Sequence, residues 1–360
     1  MEDLYYRCPT GIYLIENGLD KSGEIIKKEG FSKVFIIYGG ESIKRNGYYS
    51  RLIDSLDKNN ILHEEKGGVE PNPDIEFVYT VMPRIKEFKP DLILAIGGGS
   101  VIDTAKSIIH AYYYTGDPLD FNKKIAKSTK VLPLGVILTL SASGSEMSSS
   151  CVISSRKENF KSGFNDITNF PTFSILDPSL TSTVPHYQIA CGIVDIISHS
   201  FERYFSSSSK YELSDYFALS VIKQMVELSK DVLSSTPSFD AFRAMMLCGT
   251  ASHNGYTSFI KKYNMRCHFV EHQMSAQKAE LSHGLGLRFL LANFMEVNKD
   301  KLENKIVNFG KYVFDLASPT AEETIEKFEN YLRSLELPNN MEEVGFTIEE
   351  KNAFIKQLVI

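Results

Sequence analysis

A parallel-sheet α/β half followed by an all-helical half is the architecture this sequence predicts, on three observations. Short apolar runs alternate with amphipathic stretches through the first half, a glycine-rich turn joins one such run to a helix, and beyond Pro185 the apolar residues recur at helical spacing. Strands that alternate with helices imply βαβ units and a parallel sheet. A period near 3.6 with few strand-like runs implies packed helices.

The first run, Lys33-Val34-Phe35-Ile36-Ile37-Tyr38, reads as a buried strand and leads into a polar, helix-like segment. Asp91-Leu92-Ile93-Leu94-Ala95-Ile96 repeats the pattern and is followed by another helix. A third run, Leu134-Gly135-Val136-Ile137-Leu138-Thr139, and a fourth, Phe173-Ser174-Ile175-Leu176, continue it. From about Gln188 onward, Ala190, Ile193, Ile197, Phe201 and Phe205 mark one face of a helix. Pro178, Pro185 and the Ser/Thr cluster between them place the boundary, so the chain divides into 1–184 and 185–360. Two domains also suit a length of 360 residues, which exceeds what one core usually supports.

Bulk charge narrows the partners. The net charge is −6, from 39 Lys+Arg against 45 Asp+Glu, and no dense basic block offers the phosphate-neutralising surface that nucleic acid requires. A small-molecule partner is expected instead. The start, Met1 to Arg7, lacks the basic-then-apolar pattern of a secretory signal, and no apolar run approaches the roughly 20 residues of a membrane span, so a cytoplasmic protein without a membrane partner is expected. Cys8, Cys151, Cys191, Cys248 and Cys267 are odd in number and contain no CxxC pair, which reads as ordinary reduced thiols.

Gly97-Gly98-Gly99-Ser100 stands between a buried-type strand and the helix that begins near Val101. Glycines let the backbone approach a diphosphate, and the unpaired N–H groups of the helix's first turn point at the anion. The turn is not the ordinary GxGxxG fingerprint, and a tight strand-to-helix connection without ligand has the same pattern. A second segment, Thr139 to Glu146, follows the third strand, where doubly wound sheets place binding loops. Its hydroxyls and amides suit ribose and phosphate, although Ser143 and Glu146 also have capping-box spacing.

Five of the eight histidines fall between His199 and His283. Asp195 and His199 are four residues apart and share a helix face, so a carboxylate and an imidazole converge there on one cation or on each other. His268 and His272 repeat the spacing, and His283 follows immediately before Gly284. An aspartate and three histidines make a four-ligand set whose nitrogen and oxygen donors suit Fe(II) or Zn(II). Spacing does not choose among the histidines of this stretch. His63, His110 and His186 are expected on the surface or at turns, and His253 is either pocket-lining or a loop residue.

Taken together, Gly67-Gly68-Val69-Glu70-Pro71-Asn72-Pro73, Gly97 to Asp103, Ser143-Gly144-Ser145-Glu146-Met147 and Gly192 to His199 resemble the iron-containing (group III) alcohol dehydrogenase family, and within it the NADPH-linked butanol dehydrogenase branch. The resemblance implies a Rossmann-like nucleotide-binding domain over 1–184 and an all-helical metal-binding and substrate domain over 185–360, the fold shared with dehydroquinate synthase. It implies a metal-dependent hydride transfer between NAD(P)(H) and a primary alcohol or aldehyde, with Asp195, His199, His268 and His283 as ligands. His272 would then lie beside the nicotinamide as a catalytic group. Gly97, Gly98, Gly99 and Ser100 would hold the diphosphate, Asp103 would reach the nicotinamide end as a second catalytic group as well as a cofactor contact, and Thr139, Ser141 and Ser145 would face phosphate or ribose. By family analogy the protein is a homodimer.

The end of the first strand selects the cofactor, because an acidic residue there accepts the ribose hydroxyls of NAD and repels the extra phosphate of NADP. Gly39, Gly40, Ser42 and Lys44 look like the NADP-preferring branch, so NADP(H) is expected over NAD(H). Glu41 departs from that pattern. Ser282 stands where the family commonly has proline, and the stretch from His272 to His283 is one residue longer than usual. Three rivals share the architecture: a glycerol-type polyol dehydrogenase, a sugar-phosphate cyclase, and a catalytically degenerate nucleotide-binding protein. The cyclase needs a basic pocket, for which the site segments offer only Lys161, Lys261, Lys262 and Arg266.

Overall fold

The computed structural model describes residues 6–206, 212–259 and 263–360; Lys261 and Lys262 lie outside them. The chain forms two compact units, Arg7–Val184 and, with Tyr6, Pro185–Ile360.

In the first unit the chain runs through β1 (Gly11–Leu14), α1 (Gly18–Lys28), β2 (Lys33–Tyr38), α2 (Ser42–Arg45), α3 (Tyr48–Lys58), β3 (Leu62–Lys66), α4 (Ile75–Phe88), β4 (Leu92–Gly97) and α5 (Gly99–Ala111). It continues through β5 (Leu134–Leu138), β6 (Ser150–Ser155), β7 (Phe160–Asn165) and β8 (Phe173–Leu176). Six strands form one sheet in the order β1-β8-β5-β4-β2-β3, every neighbouring pair parallel. The four apolar runs are its inner strands β2, β4, β5 and β8. Val34, Phe35, Ile36, Ile93, Leu94, Val136, Ile137 and Ile175 are fully buried there, as expected for strands covered on both faces.

Strand order fixes where a ligand can sit. From β2 the chain moves outward to β3, then returns to the other side of β2 to lay down β4, so the winding direction reverses between β2 and β4. In such sheets the crevice opens outside the carboxyl ends of the strands flanking the reversal. Here those ends are Tyr38 and Gly97, whose strands are held in register by Tyr38 opposite Ile96.

The second unit is helical: α6 (His186–Ser206), α7 (Leu213–Val232), α8 (Phe239–His253), α9 (Arg266–Gln277), α10 (His283–Val297), α11 (Lys299–Phe314), α12 (Ala321–Arg333) and α13 (Ile348–Lys356). Every residue of α6 from Ile189 to Phe205 is buried, which makes it the central helix of the unit. Phe201 and Phe205 pack against Phe294 and Phe309 with centroids 5.7–6.0 Å apart. Thr320 with Glu323 and Thr347 with Glu350 form complete capping boxes that start α12 and α13. No helix among the described residues is long and apolar enough to cross a membrane.

Candidate functional site

Asp195 and His199 lie one turn apart on α6, and His199 Nδ1 stands 3.4 Å from Asp195 Oδ1. The same carboxylate oxygen is 3.7 Å from His268 Nε2 of α9 and 3.7 Å from His283 Nε2, the first residue of α10. Three imidazoles from three helices therefore meet at one oxygen of Asp195. The shifted loop before His283 does not keep its ring from the set. Asp195, His199 and His268 are buried, and His283, at 27 % side-chain exposure, marks the more open flank.

These donors fit a cation. Asp195 Oδ1, His199 Nδ1 and His268 Nε2 are buried and have no hydrogen-bond partner among the described residues. Buried polar atoms are almost always satisfied, and three orphans aimed at one point are satisfied together by a metal ion. Burial, reinforced by the neighbouring imidazoles of His253 and His268, holds His199 well below the usual histidine pKa and therefore neutral, the form that ligates. Burial also works against a charged His268, but Glu202 and Asp195 overcome it and raise its pKa to about 9. A proton and a metal ion compete for that Nε2.

Spacing alone left His268 and His272 open. His268 Nε2 faces Asp195, whereas the His272 ring, half-buried, lies 5.7 Å from that of His283. Glu271, His272 and His283 also converge, with Glu271 Oε2 bonded to His283 Nδ1. Two neighbours escaped the sequence reading, and a third, His253, belongs to a helix and not to a loop. Glu202 bonds His268 Nδ1, Glu271 bonds His283 Nδ1, and His253, the last residue of α8, has its ring 4.2 Å from that of His199. Helical spacing contained a signal for two of them, since Glu202 is seven residues after Asp195 and Glu271 three after His268.

In the α/β unit, Gly97 closes β4, Gly98 is extended, and α5 begins at Gly99. A Cβ at Gly97 would lie 2.5 Å from the Val101 side chain of α5, and one at Gly99 would lie 2.4 Å from Ser143 Oγ of the loop after β5, so a larger residue at either position forces a neighbouring side chain to move. That loop is joined to the turn by Thr139 N–H donating to Gly97 O at 3.1 Å. Ser145 starts a short 3-10 turn after a left-handed Gly144, so Ser143 and Glu146 do not form a capping box. Ser145 Oγ donates to Asp103 Oδ1 at 2.6 Å and accepts from Lys106 Nζ at 2.8 Å, while Asp103 Oδ2 accepts from Val152 N–H at 3.0 Å. Ser141 is buried and Ser100 half-buried.

At the end of β2, Gly39 O accepts from Gly68 N–H at 2.8 Å, which seats the 67–73 segment there, and a Cβ at Gly40 would meet open space. Glu41 and Ser42 are exposed. Lys44 Nζ lies over the rings of Tyr38 and Tyr49, at 5.4 and 5.3 Å from their centroids, and 3.9 Å from Glu65 Oε1. His186 is exposed and His63 pairs with Asp57 on the edge strand β3. His110 is the exception to its sequence reading, being buried at 1 % exposure on α5. All five cysteines are free thiols.

Residues 9–178 match the model of the iron-containing alcohol dehydrogenases, and residues 189–359 match that of the C-terminal part of the same family. The chain is 40 % identical to NADH-dependent butanol dehydrogenase A of Clostridium acetobutylicum over 98 % of its length and 92 % of the relative's. It is 29 % identical to the NADPH-dependent aldehyde reductase YqhD of Escherichia coli, covering 99 % and 93 % of the two chains. The crystal structure of the NADH-dependent butanol dehydrogenase A from Thermotoga maritima superposes with a TM-score of 0.93 at 32 % identity, over 99 % of this chain and 90 % of that one.

Proposed function

Because the chain belongs to the iron-containing alcohol dehydrogenase family, we propose that Asp195, His199, His268 and His283 hold its metal ion and that the segments 39–44, 97–103 and 139–145 hold its dinucleotide. The protein is an NAD(P)-dependent oxidoreductase of primary alcohols and aldehydes. The observation that carries the site assignment is the meeting of three buried hydrogen-bond orphans with His283 Nε2 around Asp195 Oδ1.

Bound there, Fe(II) or Zn(II) supplies the Lewis acidity that draws charge toward a carbonyl oxygen, and the reduced dinucleotide supplies the hydride; aldehyde, NAD(P)H and a proton give alcohol and NAD(P)+. The chain contributes position and electrostatics. Asp195, His199 and His268 sit in dry surroundings, where charge acts more strongly than in water. His272, at the more open flank, is assigned the proton exchange with the substrate oxygen. Asp103, held by Ser145 and the Val152 N–H, orders the loop that faces ribose and phosphate.

Between the two dinucleotides, the resemblance favours NADP(H), whereas the side chains favour NADH. Lys44, the cation available for a 2′-phosphate, is engaged by Tyr38, Tyr49 and Glu65, and the exposed Glu41 carboxylate repels that phosphate while accepting ribose hydroxyls. The relatives are named for both cofactors. A homodimer formed through the edge strand β1 and a reducing, cytoplasmic address that suits five free thiols complete the reading. The test is to strip the purified protein, reload it anaerobically with Fe(II) or Zn(II), and follow NADH and NADPH oxidation over short aldehydes. Metal-dependent turnover with a higher kcat/KM for NADH is expected; no metal dependence overturns the site, and a clear NADPH preference overturns the role of Glu41.

A further inference from the structure

Two carboxylates that do not reach the shared Asp195 oxygen are bound into the centre from behind. Glu202 projects from the face of α6 that carries Asp195 and His199, and its Oε2 bonds His268 Nδ1 of α9. The same oxygen accepts from the His268 backbone N–H at 3.3 Å, and Oε1 accepts from the Cys267 N–H. Glu271 of α9 repeats the arrangement one helix further on, with its Oε2 on His283 Nδ1 of α10. Glu202 is 1 % exposed and Glu271 0 %.

An imidazole that donates from Nδ1 to a carboxylate has its Nε2 lone pair free and its ring direction fixed. Both Nε2 atoms so oriented point at Asp195 Oδ1, each at 3.7 Å. Burying a carboxylate is costly unless it is compensated, and here two buried carboxylates stand behind the histidines that face Asp195. A dication is the compensation this arrangement is built for.

We propose that Glu202 and Glu271 are positioning residues of the metal centre, each orienting the ligand histidine of the next helix, so that α6, α9 and α10 are chained together by carboxylate–imidazole contacts. The proposal rests on the reading of Asp195, His199, His268 and His283 as ligands. Metal retention then depends on two side chains outside the ligand set, and loss of either charge weakens it by about 10- to 100-fold.

The experiment loads the full-length protein with Zn(II) and measures its release to a chelator in wild type, Glu202→Gln and Glu271→Gln, together with the Tm of each metal-stripped form. Glutamine keeps the shape and removes the charge. Release about 10- to 100-fold faster in both variants is expected, with metal-free Tm values close to wild type, which a merely structural role would not produce. Wild-type release rates in the variants overturn the proposal while leaving the ligand set intact. A Glu271→Gln protein that takes up no Zn(II), as expected for Asp195→Ala, makes Glu271 a ligand and overturns its positioning role. Should Glu202→Gln fail to fold, because Glu202 also receives the first N–H groups of α9, Glu271→Gln decides the matter alone. A wild type that takes up no Zn(II) overturns the ligand reading itself, and this proposal with it.

Discussion

Asp195 Oδ1 and His199 Nδ1 face each other at 3.4 Å across one turn of α6, and neither has a hydrogen-bond partner among the described residues. Two buried atoms so placed are poorly satisfied by each other and well satisfied by a shared cation. Asp195→Ala and His199→Ala are expected to lose the metal and to lower kcat by about 10³-fold or more, the worth of several kcal/mol of Lewis-acid stabilisation. His272→Ala should keep the metal and lose about 10²-fold in kcat as a proton-transfer group. Metal content and kcat measured on the same samples check both, and equal metal loss in all three variants sinks the assignment of His272.

Lys106 is buried on α5, and its Nζ donates to Ser145 Oγ at 2.8 Å, Ser148 O at 3.0 Å and Ser150 O at 2.7 Å. Burial pulls its pKa down, yet all three ammonium protons have acceptors, so the residue works as a clasp between α5 and the chain from Ser145 to Ser150. Lys106→Met removes the clasp and takes from those three acceptors the donor they share. A loss of about 3 kcal/mol in urea unfolding is expected, with a raised dinucleotide KM and unchanged metal content. Unchanged stability and KM would rule the clasp out.

Burial lowers the pKa of His110 and outweighs the Asn169 hydrogen bond and the Asp166 carboxylate, which raise it. Asn169 donates from Nδ2 to Ser149 O at 2.8 Å and to Phe164 O, so its Oδ1 faces His110 Nε2 at 2.8 Å and that nitrogen carries the proton. His110 Nδ1 is left to accept from the Ser128 hydroxyl. A histidine whose folded pKa lies below its unfolded one contributes stability that is fully present above about pH 6.5 and is lost as pH falls below it. Wild type should therefore lose up to about 1.4 kcal/mol per pH unit more than His110→Gln in that acid range. Parallel stability profiles for the two proteins would exclude the neutral buried histidine.

The residues that the sequence made legible are those whose neighbours lie close in the chain. β2, β4, β5 and β8 are buried on both faces and read as apolar runs, and Asp195 with His199 read as one helix face. β3, Leu62-His63-Glu64-Glu65-Lys66, is an edge strand paired only with β2, so its polar residues gave no strand signal. The β6–β7 hairpin is serine-rich and equally silent. The parts acting over long range stayed hidden. Glu202 meets His268 66 residues away, and His110 meets Asn169 59 residues away; no local pattern records either contact.

Gly284 tests whether the aim of His283 depends on how closely two helices approach. A Cβ there would lie 2.1 Å from Cys191 O and 2.6 Å from Cys191 C, both backbone atoms of α6. A backbone neighbour cannot rotate aside as a side chain can, so Gly284→Ala must push the start of α10 outward, and His283, its first residue, moves with it. Gly310 is the control: its Cβ would meet Thr324 Oγ1 at 2.2 Å, between α11 and α12. Overpacking at either site costs about 1–3 kcal/mol. Only Gly284→Ala displaces a ligand, however, so its Zn(II) release should quicken by about 10-fold or more while Gly310→Ala releases at the wild-type rate. Equal acceleration in the two variants would mean that general loosening, and not the seat of α10 on Cys191, governs the metal.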